Sequence, residues 1–231
     1  MNIACYNGRM PPLNILYEDA ESLIIDKPAG LPVDRPRTGG ESLEGRLDDL
    51  RFGFARPPVP VHRLDRDTSG CLLLARNPKA LRRFGVAFEE RQVAKSYLAI
   101  VAGDVPSEGE IDLPLAKTST AEQGWRIVPA RSGRPARTRW RLLARSGAQS
   151  LLLLLPETGR THQLRVHLAS GLDRPIIGDP VYGAASADGM MLHAWRLHVP
   201  RANKPPIDAQ APLPPRFAAH GFGPEALDGL A

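Results

Sequence analysis

Val61-His62-Arg63-Leu64-Asp65-Arg66-Asp67-Thr68-Ser69-Gly70-Cys71-Leu72-Leu73-Leu74 sets one acid, Asp65, after a short apolar stretch and follows it with a Thr-Ser-Gly turn into a continuous apolar run. An unbroken run over residues 70–75 is the pattern of a strand buried on both faces, since a half-exposed strand would alternate. An acid on a turn at the mouth of such a strand has the form of an active-site loop, rigid at its base and open at its tip. Arg63 and Arg66 flank Asp65, and neighbouring cations favour the charged form of a carboxylate, which suits a nucleophile.

Outward from this stretch, residues 14–18 and 22–26 read as short strands, the second closed by the turn signal Lys27-Pro28-Ala29-Gly30. Residues 41–50 read as a helix. Asn77-Pro78 offers an N-cap and a first-turn proline, so a helix is predicted from there to about Gln92, with Leu81, Phe84, Ala87 and Phe88 as its core face. Residues 94–101, 111–115, 125–128, 137–143 and 150–155 read as five strands separated by Gly, Ser or Pro, 161–169 as a short helix, and 191–199 as a closing strand. Many strands with few helices between them predict an α+β fold on a central mixed, largely antiparallel sheet flanked by helices and loops, and argue against a doubly wound one. The simplest parse is an N-terminal extension at 1–12, one domain at 13–217 and a C-terminal tail at 218–231.

At 231 residues and 42% hydrophobic content the chain can bury a real core. Its two cysteines, Cys5 and Cys71, imply no disulfide scaffold, and Cys71 reads as a reduced, buried thiol. The N-terminus has no signal-like apolar stretch, and no segment reaches the ~18 apolar residues of a membrane span, so a cytoplasmic protein without a membrane partner is expected. The net charge of +5 is a weak hint of an anionic partner. Between residues 126 and 174, however, ten arginines stand against Glu157 and Asp173 alone. Guanidinium forks suit phosphates. Arg137, Arg139 and Arg141 alternate with Thr138, Trp140 and Leu142, so a strand there would project all three guanidiniums from one face as a row of phosphate contacts. A solvated surface is the bland alternative.

Glu157-Thr158-Gly159-Arg160-Thr161-His162-Gln163-Leu164-Arg165-Val166-His167 begins with a Thr-Gly turn and reads as the opening of a helix. On it His162, Arg165 and Ala169 would share a face, and the helix N-terminus would add positive potential. His162 and His167 are five apart, which is not the spacing of a zinc-binding helix, and no other tight His/Cys/Asp cluster or phosphate-cradling Gly loop occurs. Neither metal nor cofactor is expected. In Val93-Ala94-Lys95-Ser96-Tyr97-Leu98-Ala99-Ile100 a period-2 strand puts Lys95, Tyr97 and Ala99 on one face. Tyr97 there is either plain core or a ring able to stack on a base and offer its hydroxyl.

The strings His62–Gly70 (HRLDRDTSG), Gly159–Arg165 (GRTHQLR) and Lys95–Ala99 (KSYLA) resemble the RluA family of RNA pseudouridine synthases. Lesser matches at 22–33, 176–183, 192–194 and 211–214 extend the resemblance from about Leu13 to Phe217. It implies a pseudouridine-synthase-like domain that isomerises specific uridines in tRNA, ribosomal RNA or both. Asp65 would be the nucleophile, Tyr97 would lie under the target base, and Arg165 would pair with the catalytic aspartate. Arg160 would hold a substrate phosphate or its own loop. Arg63 would grip a phosphate or fill the gap left by a flipped base. His162 and Leu164, with Leu168 as a second candidate for the wall, would line the substrate site. Asp34 departs from the basic or histidine residue many members have, which touches only local RNA contacts. The chain has no room for a small N-terminal S4-type module, so recognition is expected from the catalytic domain, acting as a monomer on RNA and not on DNA. Two other classes remain open: a non-catalytic RNA-binding protein, and a retaining glycosidase, which would need a second carboxylate ~5 Å from the first.

Overall fold

Every residue of the strand Ser69–Ala75 is buried, as its unbroken apolar run requires, and the surrounding sheet is built outward from it. The computed structural model describes residues 12–120 and 124–230. In chain order the first elements are β1 (Asn14–Glu18), β2 (Ser22–Lys27), β3 (Val59–Pro60), β4 (Ser69–Ala75) and α1 (Pro78–Glu89). There follow β5 (Ala94–Ala102), β6 (Glu108–Asp112), β7 (Leu115–Thr120), β8 (Gly124–Pro129), β9 (Arg137–Ser146) and β10 (Gln149–Pro156). The last are α2 (Gln163–Val166), β11 (Leu192–Val199), β12 (Ile207–Gln210) and α3 (Pro215–Ala219). This is an α+β fold.

The chain divides into two units, Met1–Val93 with Ala194–Pro212, and Ala94–His193 with Leu213–Ala231. The sheet of the first runs β1-β2-β4-β11, with β3 also on β4 and β12 on β11. β2 and β4 pair antiparallel from Ser22↔Ala75 to Lys27↔Gly70. α1 starts as its sequence demands: Asn77 accepts a hydrogen bond from Ala80 N at 2.9 Å, with Pro78 just inside. Its buried Ala80, Phe84 and Ala87 pack with Cys71, Leu73, Leu197 and Val199. Residues 41–50, expected as a helix, give only a short 3₁₀ stretch, Glu44–Leu50, after two glycines at positive φ.

The second unit carries the antiparallel order β5-β10-β9-β6, with β7 and β8 forming a separate hairpin. The strand expected at 111–115 is split between β6 and β7 at Leu113-Pro114. Proline has no N–H for a ladder, and the flanking amides of Leu113 and Leu115 bond instead to Ala136 O and Arg134 O. Phe217 and Phe222 are both buried, so the chain beyond 217 still packs against core.

Gly70 shows why the turn into β4 needs glycine. Its φ is +108°, and a Cβ there would lie 2.2 Å from the carbonyl oxygen of Ala194 on β11. Gly30 has φ +86° but open space around it. Gly70→Ala should therefore cost about 2–5 kcal/mol, strain plus clash, against about 1–3 kcal/mol for Gly30→Ala, strain alone. Urea unfolding of the two variants checks the difference.

Candidate active site

The loop between β3 and β4 carries Asp65 and is fastened on several sides. Val61 N donates to Leu73 O at 3.0 Å, and His62 Nε2 accepts from Leu73 N at 3.1 Å while its ring stacks on Phe88 with centroids 4.6 Å apart. Thr68 N closes a turn on Asp65 O at 3.1 Å. The far side is held by Lys27, whose side chain is fully buried. Its ammonium donates to Pro28 O and Leu31 O, both at 2.8 Å, and to Arg66 O at 3.0 Å. Gly30 N bonds the same Arg66 carbonyl at 2.9 Å. Three acceptors for three N–H donors is what keeps a buried ammonium tolerable. Here they peg the residue next to Asp65.

The flanking arginines turn to other partners. Arg63 Nη1 lies 2.7 Å from Asp34 Oδ2, and Arg66 Nε donates to Gly30 O at 3.2 Å and sits 4.0 Å from Asp67. Asp34, the departure from the family pattern, is thus the acid that holds Arg63. Asp65 is half-buried, with buried Leu64 before it and buried Thr68 and Ser69 after it.

In the second unit, Tyr97 stands half-buried on β5 opposite Leu154 of β10, and Lys95 Nζ reaches Thr158 O at 3.5 Å. Beyond β10 the expected helix at 161–169 is shorter. α2 has one turn, Gln163–Val166, and continues as a wider turn over His167–Gly171. His162 lies outside it at φ 52°, in the left-handed region. The shared face of His162, Arg165 and Ala169 therefore does not form as a regular helix would make it. A single turn also supplies no appreciable N-terminal dipole.

What organises this segment is Gln163. Its Oε1 accepts from Thr158 Oγ1 at 2.7 Å and Arg160 N at 3.0 Å, and its Nε2 donates to Arg137 O and Thr138 Oγ1, both at 3.0 Å. Thr138 Oγ1 then meets His167 Nδ1 at 3.0 Å, and His167 Nε2 lies 3.1 Å from Leu113 O. A carbonyl can only accept, so Nε2 carries the proton and Nδ1 accepts from the threonine hydroxyl. Burial pushes the His167 pKa below its usual range, in keeping with a neutral ring. Arg160 Nε bonds Pro135 O at 3.0 Å, the loop-holding contact. Leu164 and Leu168 are both buried in the core.

Arg165 is held by an acid the sequence reading did not single out. Its Nε and Nη2 donate to Asp179 Oδ2 and Oδ1, both at 2.8 Å, with side-chain exposures of 6% and 0%. Asp179 also accepts from Val181 N at 2.8 Å and Tyr182 N at 3.1 Å. Burial alone would raise the pKa of this carboxyl; the Arg165 hydrogen bonds and charge and the two amides outweigh it and hold the group below its ordinary range. In the sequence Asp179 stands out only as part of the string 176–183.

Arg137, Arg139 and Arg141 do alternate outward on β9, but the face is not bare. β6 sets Asp112, Glu110 and Glu108 directly opposite them. Arg137 lies 3.2 Å from Asp112, 3.3 Å from Glu110 and 3.9 Å from Glu157, and Arg139 lies 3.0 Å from Glu157. Three arginines against four acids correct the expected cationic row to a cross-strand ladder of opposite charges.

A family described as RNA pseudouridylate synthase matches residues 21–170. An uncharacterised RNA pseudouridine synthase of Zymomonas mobilis is 56% identical over 90% of this chain and 97% of its own length. A ribosomal large subunit pseudouridine synthase D of Nitrosomonas europaea is 38% identical over 90% of this chain, which spans 64% of that relative. Among solved structures, human RNA pseudouridylate synthase domain containing 4 superposes with a TM-score of 0.74 at 29% identity, covering 93% of this chain and 91% of its own.

Asp179→Asn should leave the Arg165 charge buried against a neutral amide, costing about 3–5 kcal/mol in urea unfolding at neutral pH. Because the folded pKa is depressed, the wild-type pair contributes in full above the unfolded value of about 3.9 and loses that contribution as pH falls through the folded one. The stability gap between the two proteins should therefore narrow in acid.

Proposed function

We propose that this chain, which belongs to the RluA family of RNA pseudouridine synthases, isomerises uridine in folded RNA with Asp65 as its nucleophile. The reaction breaks the N1–C1′ bond, turns the detached uracil, joins C5 to C1′ and releases the C5 proton. Nothing is oxidised or hydrolysed. A carboxylate suits it because it can attack carbon or stabilise charge that develops at the sugar. The observation that carries the reading is the fastening of the Asp65 loop by buried Lys27 and by the two contacts to Leu73. A group that must meet a reacting atom has to be held by its surroundings and not by its own tether. Arg165 and Tyr97 take the roles of charge partner to the carboxylate and platform under the base. Asp179 fixes the Arg165 plane and uses two of its five N–H donors. The substrate is a tRNA stem-loop, a ribosomal RNA hairpin or both, and the naming of relatives for the large ribosomal subunit supports the second.

Asp65→Asn should abolish release of tritium from C5-labelled uridine in RNA while the protein stays folded. A residual rate within about tenfold of wild type, a barrier change under ~1.4 kcal/mol, would overturn the assignment. Arg165→Lys should lose most activity, because an ammonium cannot reproduce a planar, two-point hold on carboxylates. Tyr97→Phe keeps the ring and removes the hydroxyl, so a rate defect with intact RNA binding would assign proton transfer to that group. Mapping pseudouridines in RNA from cells lacking this chain identifies the target.

A further inference from the structure

The β7–β8 hairpin offers a second place for a base. Its register sets Lys117 opposite Ile127 and Ser119 opposite Trp125, so these four share a face. At the inner end of that face Ile127 is buried in a cluster with Leu115, Ala136 and Val166. Two residues toward the turn, Trp125 is 43% exposed. Its uncovered indole is apolar surface that a planar partner can cover. The ring is nevertheless held in place. His162 meets it edge-on with centroids 5.1 Å apart, and the His162 ring is set in turn by Tyr182, whose hydroxyl lies 2.9 Å from Nδ1. The same hydroxyl accepts from Ile127 N at 3.0 Å, and Arg126 Nη2 bonds Val181 O at 2.7 Å, so the hairpin is anchored beside its exposed tryptophan. Lys117 Nζ lies 5.6 Å from the indole centroid.

The electrostatics favour one kind of occupant. Lys117, Arg126, Arg131 and Arg134 are the charged residues of described positions 115–120 and 124–135, with no acid among them; Glu122, in the turn, lies outside the described residues. A prepositioned indole beside cations is the pairing that binds unpaired nucleotides, the ring taking a base and the cations the phosphates. We propose that Trp125 is a stacking platform for an unpaired base of the substrate RNA, one that is not the uridine undergoing isomerisation, with Lys117 taking an adjacent phosphate. This rests on RNA being the substrate, as proposed above, and adds a determinant of which folded RNAs are accepted: those with an unpaired nucleotide beside the target.

Fluorescence tests it directly, because the chain has three tryptophans and the other two, Trp140 and Trp195, are 5% and 3% exposed. The probes are an RNA hairpin with a uridine-containing loop and a blunt duplex of matched composition, added to full-length Asp65→Asn protein to prevent turnover. The hairpin should quench the emission and the duplex should not. Trp125→Phe should abolish the quench with affinity changed less than about threefold, whereas Trp125→Ala should weaken hairpin binding by about 5- to 150-fold. Hairpin binding with no quench, equal quenching by the duplex, or unchanged affinity in a folded Trp125→Ala protein would each overturn the proposal. If Trp125→Ala does not fold, the quench and its loss in Trp125→Phe decide alone. A quench in an RNA that the wild-type protein never converts would leave this site standing and remove the isomerase reading. Conversion without a quench would do the reverse.

Discussion

A loop that leaves a sheet must find partners for the backbone groups the sheet no longer serves, and this constraint shapes both halves of the chain. Unpaired buried carbonyls and amides cost as much as lost hydrogen bonds. In the first unit the carbonyls of Pro28, Leu31 and Arg66 converge on the buried ammonium of Lys27. In the second, Gln163 takes an amide and a hydroxyl on its oxygen and gives both hydrogens to Arg137 O and Thr138 Oγ1. Each is a polar side chain used to its full bonding capacity, and each therefore fixes a loop in one conformation. Asp65 sits on the first such loop and Arg165 two residues past the helical start of the second.

That logic separates what could be read from the chain from what could not. The β4 run, the Asn77-Pro78 start of α1 and the alternation of β9 depend on neighbours in sequence, and periodicity reports them well. The helix expected at 161–169 failed because its residues answer to tertiary partners: His162 is drawn into the left-handed region beside Tyr182, and His167 toward Thr138 and Leu113. Asp179 escaped notice for a related reason. It lies fourteen residues from Arg165, and nothing in a sequence states which distant carboxylate a buried guanidinium will find. The signal that existed was an acid between a glycine and a proline in an otherwise apolar string, Ile176-Ile177-Gly178-Asp179-Pro180-Val181.

The arginine count misled in a more instructive way. Ten arginines between 126 and 174 looked like a patch because the window stopped short of Glu108, Glu110 and Asp112. Antiparallel pairing of β6 with β9 folds those acids back onto the arginines one for one. Charge along a chain and charge on a surface differ whenever a strand partner lies outside the window. The β7–β8 hairpin escapes this cancellation because its strands pair with each other and neither carries an acid among its described residues.

Burial then sorts the arginines by what they can do for an RNA. Arg63 and Asp34 keep 77% and 55% of their side-chain surface exposed, and such a pair is worth about 0–1 kcal/mol. Opening that pair therefore costs little. Arg165 and Asp179, at 6% and 0% exposure, have already given up their water. Separating them would strand a buried charge, at several kcal/mol, which no single phosphate contact at the surface offsets. Arg165 is thus fixed in one position by its buried partner. Arg63, two residues before Asp65, is in a solvated pair that opens readily.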